Sequence, residues 1–100
     1  MLLDKELKQG DVLTIKMTSG EEIIGRFHEE TITHMVLVKP HMLIPGANGQ
    51  LGMAPALFSA DPAENVRVNK SAIAIQTKTV KDLADQYISS TTGLKLARTI

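Results

Sequence analysis

Residues 12–39 read VLTIKMTSGEEIIGRFHEETITHMVLVK, and residues 66–77 read VRVNKSAIAIQT. In both stretches apolar and polar residues alternate at the two-residue period of a strand, and a tight turn interrupts each. In the first strand, residues 12–18, Leu13, Ile15 and Met17 face one way, while Thr14, Lys16 and Thr18 face the other. Ser19 and Gly20 supply a hairpin turn, because glycine takes the positive φ such a turn needs. A second strand follows over residues 22–29, with Ile23 and Phe27 on one face and Gly25 between them. Glycine weakens a strand interior, so its place there fits a strand that must bend sharply. The third strand, residues 33–38, is apolar on both faces: Met35 and Leu37 on one, Val36 and Val38 on the other. Such a strand is central in its sheet, or its outer face meets another copy.

Between the two stretches lie residues 40–64, with Pro40, Pro45, Pro55 and Pro62 and with Gly46, Gly49 and Gly52. The segment also holds Met42, Leu43, Ile44, Leu51, Met53, Leu57 and Phe58, more apolar side chain than a solvated linker leaves in water. An extended, partly ordered hairpin turning near residues 46–49 is expected. The last two strands are residues 66–68 and 72–77, joined by Asn69, Lys70 and Ser71, with Val66, Val68, Ile73 and Ile75 facing the core.

The period then changes to that of a helix: Val80, Leu83, Ala84, Tyr87 and Ile88 form one stripe. This predicts a C-terminal helix over residues 80–89, with Thr79 and Asp82 as a capping pair and residues 94–100 as a tail. The stripe packs on the chain's own sheet or lines a subunit contact. At the other end, residues 2–9 carry a short amphipathic pattern closed by Gly10.

The chain has 100 residues and forms one domain, mostly β. Phe27, Phe58 and Tyr87 are its only aromatic residues, so the core must be aliphatic. Eleven basic residues balance eleven acidic ones, which leaves no global field to draw nucleic acid; any such binding rests on a local patch. The later chain is locally basic through Arg67, Lys78, Lys81, Lys95 and Arg98. No cysteine is present, which excludes disulfides and thiol chemistry. No apolar run approaches the roughly twenty residues that span a bilayer, and acidic residues occupy the place of a signal peptide's apolar stretch. A soluble, cytoplasmic chain without cofactor is expected.

The residues resemble the Sm, LSm and Hfq family of RNA-binding rings. Ser19 and Gly20, then Ile24, Gly25 and Phe27, are similar to its first motif, with a turn glycine and a bend glycine. His34 and Met35 before Val36, Leu37 and Val38 look like its third-strand entry. Lys70, Ser71, Ala72 and Ile73 are similar to the Lys-His-Ala-Ile of the Hfq type. The resemblance covers about half the chain and departs from the pattern at defined places. Val36 stands where the family carries an Asn, and Ser71 where Hfq has His. Glu29, Glu30 and Thr31 are the nearest candidates for a missing loop Asp.

It implies a small, strongly bent five-stranded antiparallel barrel, Sm-like or SH3-like; with it go the short N-terminal helix read above and the C-terminal helix, which is an addition to the family's core motif. It also implies a homo-oligomeric ring binding single-stranded RNA through His34, Met35, Asn69, Lys70 and Ser71. His34 would stack a base, Lys70 would meet phosphate, and Asn69 or Ser71 would bond a base edge. Two alternatives stay open: an oligomeric protein-interaction scaffold of the same fold using the long loop and the helix, and a monomeric SH3-like module.

Enzymatic chemistry finds no candidate. Glu21 and Glu22, like Glu29 and Glu30, are strand neighbours pointing to opposite faces. Ser19, Ser59 and Ser71 lack a nucleophile context. His28 and His34, with the glutamates between them, match no metal-ligand spacing.

Overall fold

The computed structural model describes residues 7–92. Six strands and one helix run in the order β1 (Val12–Met17), β2 (Glu22–Glu30), β3 (His34–Pro45), β4 (Leu51–Pro55), β5 (Val66–Asn69), β6 (Ile73–Lys78) and α1 (Lys81–Thr91). Every strand pairing is antiparallel. The sheet runs β4-β3-β2-β1-β6, with β5 on β3 beside the β4 segment. A single-turn 3-10 helix, Lys70–Ala72, joins β5 to β6. Hydrogen bonds leave the sheet open rather than closing the barrel expected from the sequence, because β6 pairs with β1 and β5 with β3, but not with each other.

The expected turns form. Gly20 takes φ 110° in the β1–β2 hairpin, where its N–H donates to the Met17 carbonyl at 2.9 Å. Asn48 and Gly49, at φ 63° and 76°, turn β3 back into β4, so the long segment is a hairpin for its first half. The expected N-terminal helix, residues 2–9, lies largely outside the described residues; Gln9 and Gly10 form a turn. Asp11 packs against that turn. The Lys8 N–H donates to its carboxylate at 2.8 Å and, with Lys78 nearby, holds its pKa below the usual carboxylate range.

β3 runs seven residues beyond the expected end at Val38. Proline ordinarily stops a strand, because it has no N–H for the ladder. Here Arg26 pairs with Val38 and Ile24 with His41, so Lys39 and Pro40 bulge opposite Gly25, where Pro40 owes no ladder bond. Lys39 takes φ 48° at this kink. A Cβ on Gly25 would lie 3.3 Å from Leu37 Cβ and 3.4 Å from Pro40 Cα, so glycine allows β2 and the kinked strand to approach.

Two apolar clusters occupy opposite faces of β1. Leu13, Ile15, Phe27, Met35 and Leu37 form one, joined by Val68 and Ile73. Val12, Ile24, Leu43 and Tyr87 form the other, covered by α1 through Leu83 and Ala84. Fully burying a side chain of this size stabilises by about 1.5–3 kcal/mol, so the two clusters dominate the fold. Ile75 departs from its expected core position and is 64% exposed. Met17 pairs with Ile73 but Lys16 with Ile75, so an extra residue, Ala74, flips the strand's parity and turns Ile75 to the outer face.

α1 is anchored by Tyr87, which is 0% exposed. Its hydroxyl donates to the Val38 and Lys39 carbonyls, each at 2.8 Å, and its ring meets His41 edge to face at 5.9 Å. The Lys39 carbonyl also accepts from His41 Nδ1 at 2.9 Å, while Lys39 Nζ donates to the Thr91 carbonyl at the helix end. The helix therefore continues past the expected stop at residue 89. The expected Thr79 cap is absent: Val80 precedes the first turn, and the Thr79 hydroxyl bonds Thr14 Oγ1 at 2.8 Å. No helix among the described residues is long and apolar enough to cross a membrane.

Candidate functional site

The register brings most of the expected site residues to one end of the sheet. β3 lies between β2 and β5 there: Met35 pairs with Glu30 on one side and Val68 on the other, and His34 pairs with Asn69. The Lys70 N–H donates to the Thr33 carbonyl at 2.9 Å, tying the β5–β6 turn to the β2–β3 turn.

Each side chain is held by short-range chemistry. Asn69 Oδ1 accepts from the Ser71 N–H at 3.3 Å and the Ser71 hydroxyl at 3.1 Å, which caps the 3-10 turn. His34 is half-buried, and its Nδ1 shares a 2.8 Å hydrogen bond with the Thr33 hydroxyl. Thr31 Oγ1 accepts from the His34 N–H at 2.9 Å and so fixes the strand entry. Ile32, at the tip of this turn, is 93% exposed.

Met35 is placed differently from the other four. It is 0% exposed and packs among Leu13, Ile15, Phe27 and Leu37, so its side chain supports the site from beneath without reaching solvent. His34, Asn69, Lys70 and Ser71 remain as the accessible group.

Glu30 joins them. Its carboxylate lies 2.6 Å from Lys70 Nζ, with both side chains partly exposed. The pair partly cancels the one cation of the site, so an incoming anion must compete with Glu30 for Lys70. Read locally, Glu29 and Glu30 are strand neighbours on opposite faces and candidates for a missing loop Asp; only the three-strand register places Glu30 beside the turn after β5. His28, two residues before Glu30 on β2, is bonded to another partner, its Nδ1 3.1 Å from Gln9 Nε2. No cluster of three or more metal-ligating side chains is arranged to hold an ion among the described residues.

The site therefore offers an imidazole face, a side-chain amide, a hydroxyl and an ammonium held by a displaceable carboxylate. These groups can stack, hydrogen-bond and attract charge. No family model matches this chain, and no curated protein matches it.

Proposed function

We propose that the chain is an Sm-like subunit of a homo-oligomeric ring that binds single-stranded RNA without catalysis. In this reading β5 and β6 close a five-stranded barrel through the 3-10 turn, and the exposed edge of β6 meets a neighbouring subunit. The observation that carries it is the convergence of His34, Asn69, Lys70 and Ser71 from two turns on one end of the sheet. Base stacking on His34 is sequence-tolerant, because every base has a π-face. Lys70 exchanges Glu30 for a phosphate oxygen, and Asn69 reads a base edge. Symmetry multiplies sites that are individually weak.

A second reading, an oligomeric scaffold that binds protein and not RNA, is favoured by the exposure of Leu57 (52%) and Phe58 (83%) in the loop after β4. The two separate by fluorescence anisotropy with short U-rich and A-rich RNA at low salt. The RNA reading expects saturable binding that falls as salt rises and is lost in His34→Ala and Lys70→Ala. Absence of binding by the unaltered chain at low salt refutes it. Light scattering on a size-exclusion column tests the ring separately: a single species several times 10.9 kDa is expected, and a clean monomer removes the ring from both readings.

A further inference from the structure

Among the described residues, Arg26 Nε is the buried side-chain nitrogen left without a hydrogen-bond partner. In the register Arg26 stands between Val12 on β1 and Val38 on β3. Cross-strand partners share a face of the sheet, so its side chain lies on the face of Val12, Ile24 and Tyr87, the one that α1 covers. Tyr87 senses it there: burial raises the Tyr87 pKa, and the Arg26 charge opposes the rise. The Arg26 side chain is half-buried. No carboxylate pairs with it among the described residues, where Asp11, Glu30 and Asp85 have lysine partners instead.

A guanidinium carries five donors and a charge it cannot give up, and burying either without a partner costs free energy. The cleft that Arg26 lines, about 350 Å³ in volume, supplies no answering acid: Gln9 and His28 line it too, and no lining residue is a carboxylate. Gln9 Nε2 lies 3.1 Å from His28 Nδ1 and 3.4 Å from the His28 carbonyl oxygen. An amide nitrogen only donates, so Nδ1 accepts and the ring's proton is on Nε2, a further donor on a lining residue. Lys39, the neighbour of Val38, donates to the neutral Thr91 carbonyl, and among the described residues no carboxylate cancels its charge either. Two cations and a neutral donor, with no acid between them, suit a doubly charged oxyanion better than a single carboxylate.

We propose that Arg26 anchors an oxyanion site whose ligand is a phosphate group, free or carried on a nucleotide. The guanidinium fork takes two of its oxygens, and the His28 ring adds a neutral hydrogen bond. Arg26 pairs with Val38, four residues along β3 from His34, so the site is separate from the RNA group and stands without the ring.

The test titrates the 15N-labelled full chain with inorganic phosphate at neutral pH, with sodium chloride adjusted to hold ionic strength, and hence screening, constant. NMR reads the Arg26 Nε–H, with that of the exposed Arg67 as internal control. A saturable shift at Arg26, absent from Arg67, is expected. Arg26→Lys keeps the charge but loses the fork and should weaken binding about tenfold, read from the Val12 and Val38 amides. Arg26→Gln should abolish it. Should either variant fail to fold, the parent titration still decides. Uridine 5′-monophosphate that shifts Arg26 while uridine does not places the phosphate on a nucleotide; a shift with inorganic phosphate alone makes it the free ion. No shift at Arg26 overturns the proposal, as does a linear one in step with Arg67. Acetate saturating at a lower concentration than phosphate overturns it too, as does undiminished binding by a folded Arg26→Gln chain.

Discussion

Replacing Tyr87 with Phe tests how the helix is tied to the kink. The substitution keeps the buried ring and its edge contact with His41, and removes only the hydroxyl that donates to Val38 and Lys39. The Lys39 carbonyl keeps its bond from His41 Nδ1, so it is not orphaned. The loss is therefore that of a single buried hydrogen-bonded group, about 1–2 kcal/mol. For a domain of this size each kcal/mol moves Tm by about 4–8 °C, which gives a drop of about 5–15 °C.

Tyr87→Ala also removes the ring from the second apolar cluster and should cost about 3–5 kcal/mol. Both are measured by urea unfolding at one fixed protein concentration, since self-association would shift the midpoint. Tyr87 is the chain's only tyrosine and no tryptophan is present, so intrinsic fluorescence follows this one ring in the parent chain. Circular dichroism follows all three proteins. A Phe variant within about 2 °C of the parent refutes the argument, as does one as unstable as the Ala variant. The pH dependence provides a second check. Burial raises the Tyr87 pKa, so its contribution to stability is complete below the unfolded value of about 10 and drains as pH rises through the folded one. Tyr87→Phe should lose that alkaline decline.

Gly25→Ala adds a methyl 3.3 Å from Leu37, and overpacking of about 1–3 kcal/mol should outweigh the entropic gain of about 0.4–1 kcal/mol. Gly25→Val should be clearly worse by chemical denaturation, and a stabilised Val variant contradicts the close approach. The lowered pKa of Asp11, set first by the Lys8 N–H and aided by Lys78, means stability present above about pH 4 and lost as pH falls through its folded value. Asp11→Asn should flatten that part of the acid limb in urea midpoints taken from pH 2 to 6. Lys39→Met removes the cation at the end of α1 and should cost about 0.3–1 kcal/mol, read as a lower urea midpoint. In the RNA reading, Glu30→Gln frees Lys70 from an exposed pair of about 0.2–1 kcal/mol. RNA affinity at low salt should then rise up to about fivefold, and a fall would show Glu30 acting as more than a competitor.

What was legible in the sequence was local. Alternation over residues 12–18, Ser19 and Gly20 at the first turn, and the helical stripe through Tyr87 each describe a neighbourhood of a few residues, and each element formed. The misses come from long-range partners. Pro40 reads as a strand end, but a bulge opposite Gly25 spares its missing N–H. Ile75 reads as core, but one inserted residue in β6 reverses its face. Thr79 reads as a cap, but its hydroxyl finds Thr14, 65 residues away in sequence. At the candidate site, His34 and the Asn69 to Ser71 turn were found from motif likeness. Glu30 stands out there only as a candidate for a missing loop Asp; its pairing with Lys70 was not legible, because that partner lies forty positions along the chain and two strands across.

The break at Pro40 also bears on how evenly the sheet resists opening. On one side of it, residues 34–37 of β3 carry rungs to both β2 and β5 and lie over the larger apolar cluster. On the other, His41 and Met42 still pair with β2, but residues 43–45 are tied to the sheet only through β4, whose own residues are exposed or only half-buried. Opening of the β3–β4 arm releases Leu43 and Met53 from the smaller cluster but leaves the first cluster sealed. The arm's outer amides, residues 43–45 and β4, are expected to exchange at a lower free energy than those of residues 34–37, which hydrogen exchange would read directly. A chain built this way can reshape one arm while the rest of its sheet stays folded.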